Sequence, residues 1–297
     1  MMAHKPQICG QIELIKSKRI DNVTVKLGVG LYQELLKQDL DYCISNFQVL
    51  ELQDFVMPDN LENPLIVRDY RGLLNGFAGE ITLHGPYLNL VPTSLDRRVR
   101  ELAVFRYMQS IDIANEMGAS RVIIHSYYDP KPGFLGYDDM WLEDNMIFWS
   151  SFLEKIEGLG ISILLENCHD QNPATFARLI AEVNHPCFSS CLDIGHSSCL
   201  SSAKPELWIA ENRGSYFHIT DNDGSNDSHL LMGRGNIDFT GIAREFSRLA
   251  NICLISEAKA AFYEQLASLI KLREMIEAYP PGQESGKGIN VNCHNQW

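Results

Sequence analysis

Nine residues of metal-binding type recur at the ends of short apolar runs. They are His84 in EITLHG, His125 in RVIIHS, Glu166 in ISILLEN, and Asp193 and His196 in FSSCLDIGH. His218 in SYFHITD, Asp227 and His229 in the loop DNDGSNDSH, and Glu257 in ICLISEA complete the set. Five of the chain's nine histidines belong to it; His4, His169, His185 and His294 do not. A single His or Glu at such a position is usually a hydrogen-bonded surface residue. Nine arriving at one place are another matter, because clustered carboxylates without a cation repel one another. Imidazole and carboxylate together suit Zn²⁺, Mn²⁺, Co²⁺ or Fe²⁺ better than Mg²⁺ alone.

The elements that must carry these residues read as eight strands separated by amphipathic helices. The strands begin near Val23 (VTVKLGVG), Phe47 (FQVLEL), Glu80 (EITLHG), Arg121 (RVIIHS), Ile161 (ISILLEN), Phe188 (FSSCLDIG), Ser215 (SYFHITD) and Ile252 (ICLISEA). Helices are predicted over Ser94 to Met117, with Ser94 as N-cap and Gly118 as C-cap glycine, and over Asp138 to Gly158. Further helices are predicted over Pro173 to Val183, Lys204 to Asn212, Phe239 to Ala250 and Phe262 to Tyr279. Leu31 to Asp39 and Ile66 to Asn75 are the candidates for the first two connections. Alternating strands and helices imply parallel β-α-β units, and eight of them make a (β/α)₈ TIM barrel in a single domain. A doubly wound sheet should open with a glycine-rich phosphate loop, and VGLYQELL does not supply one. The predicted organisation is an arm over 1–22, the barrel over 23–279 and a polar tail over 280–297. In a barrel of this kind, polar residues at the C-terminal strand ends form the active site.

Composition narrows the classes further. The 297 residues carry 25 basic and 38 acidic side chains, a net charge of −13, which argues against tight nonspecific nucleic-acid binding. No apolar run is long enough to predict a membrane span. The opening MMAHKPQICG lacks the apolar stretch of a secretory signal, so a cytoplasmic location is expected. The eight cysteines show no C-x-x-C pair, and several sit inside apolar strands, so they are expected to be buried thiols.

The motif-bearing segments LHGPYLNL, VIIHS, LLEN, CLDIGH, FHITDNDGSNDSHLLMGRGNID and SEA resemble the xylose isomerase-like barrel superfamily, within the group that shares a domain with endonuclease IV. They span from about Gly28 to Tyr279. The endonuclease IV side of the resemblance implies that all nine positions hold metal, up to three ions. The sugar isomerase and epimerase side implies one ion on Glu166, Asp193, His218 and Glu257. The cofactor expected is therefore one to three divalent ions, Zn²⁺ or Mn²⁺. The first loop, VGLYQELLKQ, departs from the glycine- and alanine-rich segment of endonuclease IV-like chains. Asp54 in LELQDF resembles the acid that approaches substrate in isomerase relatives, and the loop after the seventh strand resembles the isomerase branch too.

Two chemistries follow. The first is isomerisation or epimerisation of a sugar or sugar phosphate, with a cation polarising a carbonyl and Glu166 and Glu257 as the proton-transfer pair on opposite faces. His196, Tyr87, Arg234, Trp141 and Asp54 are the candidate substrate contacts, with Tyr127 and Tyr128 as further wall residues. Arg234 suits a phosphate or carboxylate, although a solvated loop charge explains it as well. The second is endonuclease IV-like cleavage of DNA at abasic sites. A backbone-tracking nuclease needs basic β-α loops, and this chain offers only Arg68, Arg71, Arg97, Arg98, Lys131 and Arg234. DNA is a partner only under that reading. The isomerase resemblance adds pairing of two copies as an expectation.

Overall fold

The structure, a computed structural model, describes residues 24–130, 134–212 and 214–279. The predicted arm over 1–22, the tail over 280–297 and Lys131 lie outside the described residues. Eight strands close into one parallel barrel in sequence order. They are β1 (Thr24–Leu31), β2 (Val49–Leu52), β3 (Glu80–His84) and β4 (Arg121–His125). Then come β5 (Ser162–Glu166), β6 (Phe188–Asp193), β7 (Tyr216–Ile219) and β8 (Asn251–Ser256). The ring closes where Thr24 to Val29 of β1 pair with Asn251 to Ser256 of β8.

Strand alternation explains how the barrel is filled. Side chains two residues apart share a face. Leu50, Leu52, Ile163, Leu165, Phe217 and Ile219 point outward into the core shared with the helices. Val49, Ile123, Leu164, Cys191, Tyr216, Cys253 and Ile255 pack together inside the barrel. One step further along the same inward face stand Glu51, His125, Glu166, Asp193, His218 and Glu257. The barrel therefore has an apolar lower layer and an ionisable upper one.

The helices position the strand ends. The longest spans Arg97–Met117 and closes on Gly118, whose φ of 69° is left-handed, as predicted. Its N-cap is Asp96 and not Ser94: the Asp96 carboxylate accepts from the Arg98 N–H at 2.8 Å, while the Ser94 hydroxyl accepts from the Asp96 N–H one turn earlier. The first connection holds the predicted helix over Gln33–Gln38 and a second, unpredicted helix, Leu40–Asn46, and the helix at Phe239 ends at Phe246. The six described cysteines are free. Among the described residues no helix is long and apolar enough to cross a membrane.

Candidate metal centre

All nine sequence-predicted ligands meet at the C-terminal mouth of the barrel. Glu166 is the hub. Its Oε2 lies 3.2 Å from His84 Nε2 and 3.2 Å from His125 Nε2. Its Oε1 lies 3.1 Å from His218 Nδ1 and 3.4 Å from His196 Nδ1. His218 Nδ1 also faces Asp193 Oδ2 at 3.8 Å and Glu257 Oε2 at 3.4 Å. A third group gathers on Asp227 Oδ2, 3.4 Å from His196 Nε2 and 2.8 Å from His229 Nε2.

The imidazoles are held by their other nitrogens, as metal-ligating histidines are. His84 Nδ1 donates to Gly85 O at 3.0 Å, His196 Nδ1 to Asn167 O at 2.9 Å and His229 Nδ1 to Glu257 O at 3.0 Å. In each case Nε2 is the nitrogen turned toward the carboxylates, and it would offer its lone pair to an ion once its proton is displaced. His218 is turned the other way: its Nε2 donates to Glu51 Oε2 at 3.1 Å, so Nδ1 faces the carboxylates.

Local backbone geometry serves the same end. His229 has a φ of 52°, an uncommon left-handed conformation for a side-chain-bearing residue. It is held there by paired Asp221 and Leu230 backbone bonds of 2.8 Å. The Asp221 carboxylate, in turn, accepts from the N–H groups of Gly233, Gly235 and Ile237 and so ties down the following loop. Gly195, between Asp193 and His196, has no room for a side chain: a Cβ would fall 2.2 Å from Thr220 Oγ1.

The charge distribution fits a cation. Glu166 Oε2, Asp193 Oδ2 and Asp227 Oδ1 are buried and have no hydrogen-bond partner. Leaving buried carboxylate oxygens unmatched is costly, and a divalent ion satisfies them. Burial opposes ionisation of Glu166, but the imidazoles of His125 and His218 outweigh it and hold the carboxyl well below its usual range. Burial pushes Glu257 the other way, upward; His218 opposes the rise and the charges of Glu51, Glu166 and Asp193 add to it. Burial drives His125 down to about 4, so it stands neutral as a ligand must. His84, on the same Glu166 oxygen, is raised: burial opposes its charge, and Glu166, Glu51 and Glu257 outweigh that.

Sequence reading missed Glu51. It is fully buried on the inward face of β2 and accepts from Tyr216 OH at 2.7 Å, His218 Nε2 and Gln53 Nε2 at 2.9 Å. Thr82 Oγ1 extends the chain to Tyr216 OH at 2.8 Å. Gln53 Nε2 also reaches Glu257, so one amide bridges the two glutamates. The signal was the two-residue step from Val49, which puts Glu51 on the barrel interior. Glu51, His218 and Glu257 also form a group with metal-ligand spacing.

A cavity of about 1020 Å³ opens above the cluster, with His125, His196 and Asp227 on its floor and Tyr87, Tyr127, Tyr128 and Trp141 in its wall. Tyr87 stacks on His125, ring centroids 3.8 Å apart at 6°. The other two predicted substrate contacts are elsewhere. Asp54 accepts from the Gln33 N–H at 2.7 Å and from the Tyr70 hydroxyl, which holds the loop after β2 to neighbouring helices rather than to the cavity. The side chain of Arg234 is exposed and does not line the cavity.

Comparisons with known proteins agree with this architecture. An uncharacterised protein of Methanocaldococcus jannaschii, MJ1311, is 25% identical over 240 residues, 78% of this chain and 78% of that one. A probable endonuclease 4 of Mycobacterium leprae is 26% identical over 195 residues, 61% of this chain and 73% of that one. Among solved structures, a D-tagatose 3-epimerase-like protein superposes with a TM-score of 0.70 at 24% identity, covering 85% of this chain and 97% of the other. The TTHB071 protein of Thermus thermophilus, soaked with zinc chloride, gives 0.70 at 22% identity, covering 86% and 99%. At these identities the structural likeness speaks to the fold. The family model described as xylose isomerase-like TIM barrel matches residues 46–272, and the chain belongs to that family.

Proposed function

We propose that this barrel is a metal-dependent isomerase or epimerase of a sugar, acting by proton transfer at a carbon next to a carbonyl. The observation that carries the reading is geometric: Glu166 at the end of β5 and Glu257 just past the end of β8 both face His218 Nδ1, at 3.1 and 3.4 Å, so two carboxyls stand on one centre. Removing a proton from a carbon and returning one requires two such positioned groups. Epimerases among the structural neighbours support the same reading.

Glu166, Asp193, His218 and Glu257 would hold the ion, with zinc or manganese suited to this donor set. The ion supplies positive charge that polarises the carbonyl and steadies the anion left when the adjacent C–H bond breaks. The chain does the rest. Glu166, ionised, removes the proton from one face, and Glu257 returns one from the other. Gln53 holds the Glu257 carboxyl in place. His196, fixed through Asn167 O, presents Nε2 toward the cavity floor, where a substrate hydroxyl would be oriented. Tyr87, against His125, closes one side and limits water.

The test is deuterium exchange from solvent into ketoses offered to the metal-loaded protein, followed by mass. Glu257→Gln should lower the exchange rate by at least about a hundredfold, the span typical of a lost acid–base group. Exchange that survives the substitution overturns the role of Glu257.

A second reading is favoured by one observation, the His196–Asp227–His229 group, which gives the mouth more ligands than one ion needs. Such a multinuclear zinc site, together with the similarity to a probable endonuclease 4, fits cleavage at abasic sites in DNA. Rapid metal-dependent nicking of an abasic duplex would replace the first reading with this one.

A further inference from the structure

The cavity above the cluster has two unlike ends, and the difference bears on what the substrate is. Its floor carries ligands of the metal centre. Its outer half is aromatic: Tyr128 packs edge-on against both Tyr137 and Trp141, at 5.1 and 5.4 Å, and Phe134 packs edge-on against Tyr137 at 6.0 Å. The volume of about 1020 Å³ lies at the top of the range that encloses drug-sized ligands, roughly 300–1,000 Å³, and a free hexose fills only a fraction of it.

The tyrosine hydroxyls are already engaged by the protein. Tyr127 OH accepts from the Leu90 N–H at 2.6 Å, Tyr137 OH accepts from the Asp129 N–H at 3.0 Å, and Tyr128 OH donates to Asp138. Tyr128 has thus given its hydrogen to Asp138, whereas Tyr127 accepts through oxygen and can still offer a ligand its O–H beside its ring. Phe134 is 51% exposed at the rim, an apolar ring with only part of its surface covered.

We infer that the substrate carries, beyond the reacting sugar, a second ring that seats against the aromatic outer half of the cavity, on Tyr127, Phe134 and Tyr137. This rests on the isomerase or epimerase reading for the reacting end. Aromatic faces bind the apolar faces of sugar or aryl rings by dispersion and tolerate no unpaired charge.

Three ketoses that differ only at O6 separate the alternatives: D-fructose, D-fructose 6-phosphate, and isomaltulose, which bears a glucosyl ring there. Binding to the full-length, zinc- or manganese-loaded protein is measured by calorimetry, and deuterium exchange is followed in parallel. Isomaltulose should bind about tenfold more tightly than fructose, the gain expected from one or two ring contacts. Fructose 6-phosphate, which adds charge and no ring, should bind less tightly than isomaltulose. Phe134→Ala should shrink the ratio between isomaltulose and fructose several-fold. Equal binding of fructose and isomaltulose, the tightest binding by the phosphate, or a ratio untouched by Phe134→Ala together with Trp141→Phe overturns the inference. Absence of exchange with all three counts against the isomerase reading instead, because the ring preference is read from binding alone.

Discussion

Glu51→Gln isolates what a carboxylate beneath the metal centre contributes. The substitution keeps volume and shape but removes the charge that sets the orientation of His218. In the native protein Glu51 Oε2 accepts from His218 Nε2 at 3.1 Å and Tyr216 OH at 2.7 Å, and Oε1 accepts from Gln53 at 2.9 Å. All three partners donate. A glutamine must turn its NH₂ toward at least one of them, so one donor loses its acceptor in a fully buried place. A buried donor left unmatched costs about 1–3 kcal/mol. That agrees with the roughly 10- to 100-fold loss of metal affinity typical when a carboxylate behind a ligating histidine is removed. The expected result is a metal dissociation constant raised about 10- to 100-fold in chelator competition, with the far-UV circular dichroism unchanged. Burial opposes ionisation of Glu51, but the charge and hydrogen bond of His218 outweigh it and keep the carboxyl low, so the loss should persist from pH 6 upward. A variant that binds metal as tightly as the native protein would refute the assignment of His218 Nδ1 as the ligand atom.

Four further outcomes are expected. In His229, burial opposes the charge, but the hydrogen bond to Asp227 and the charge of Glu257 outweigh it and raise the imidazole to about 9. Metal binding must displace that proton, so affinity should climb at least about tenfold per pH unit between pH 6 and 8; a flat profile by chelator competition removes His229 from the ligand set. In the metal-free protein the same raised value makes the His229–Asp227 contribution to stability complete below about pH 6.5 and lost as pH rises through about 9. Burial raises Asp170 to about 6, against the hydrogen bonds from Ser126 and the Cys168 N–H. The folded state then holds a proton that the unfolded state has lost between about pH 4 and 6, so its stability falls across that window. Asp170→Asn should raise the Tm of the metal-free protein at pH 7, by up to about 3 kcal/mol of stability, and leave it unchanged near pH 4; an equal shift at both values contradicts the burial argument. Gly30→Ala would put a Cβ 2.7 Å from Gln53 Nε2 and 3.2 Å from Glu257 Cγ. It should cost about 1–3 kcal/mol in thermal unfolding and lower deuterium exchange by more than metal affinity, since it dislodges the amide that bridges the two glutamates.

Much of this was readable in the residues themselves. Strands such as RVIIH and SILLE are short apolar runs ending in an ionisable residue, and that ending is what places His125 and Glu166 at the mouth. The paired strand ends stand in register, His125 opposite Glu166 and Asp193 opposite His218. Local competition defeated the reading elsewhere. Ser94 and Asp96 are both good capping residues two positions apart, and only the path of the chain decides between them. Glu51 hid inside an apolar strand, where an acid reads as an exposed edge position until the barrel is closed around it. Asp54, three residues on, lies past the strand end, where β2 gives way to a short helical turn, and its carboxylate is used to tie that turn to Tyr70. Arg234 shows that sequence proximity to a ligand-bearing loop does not fix which way a side chain leaves it.

The ligands come one or two at a time from β3 through β8 and the loop after β7, so no local stretch of chain owns the metal centre. An ion bound there would act as a hoop around the barrel. Opening any one β-α unit that supplies a ligand would break coordination, so units that could otherwise fray one by one would become a single cooperative block. At a free metal concentration a thousand times the dissociation constant, linkage adds about 4 kcal/mol to that block. The benefit would be spread around the ring rather than confined to the mouth, and native-state hydrogen exchange of the strand amides would slow together as metal is added. The arrangement proposed to serve chemistry at one end of the barrel would thereby govern how the wall breathes.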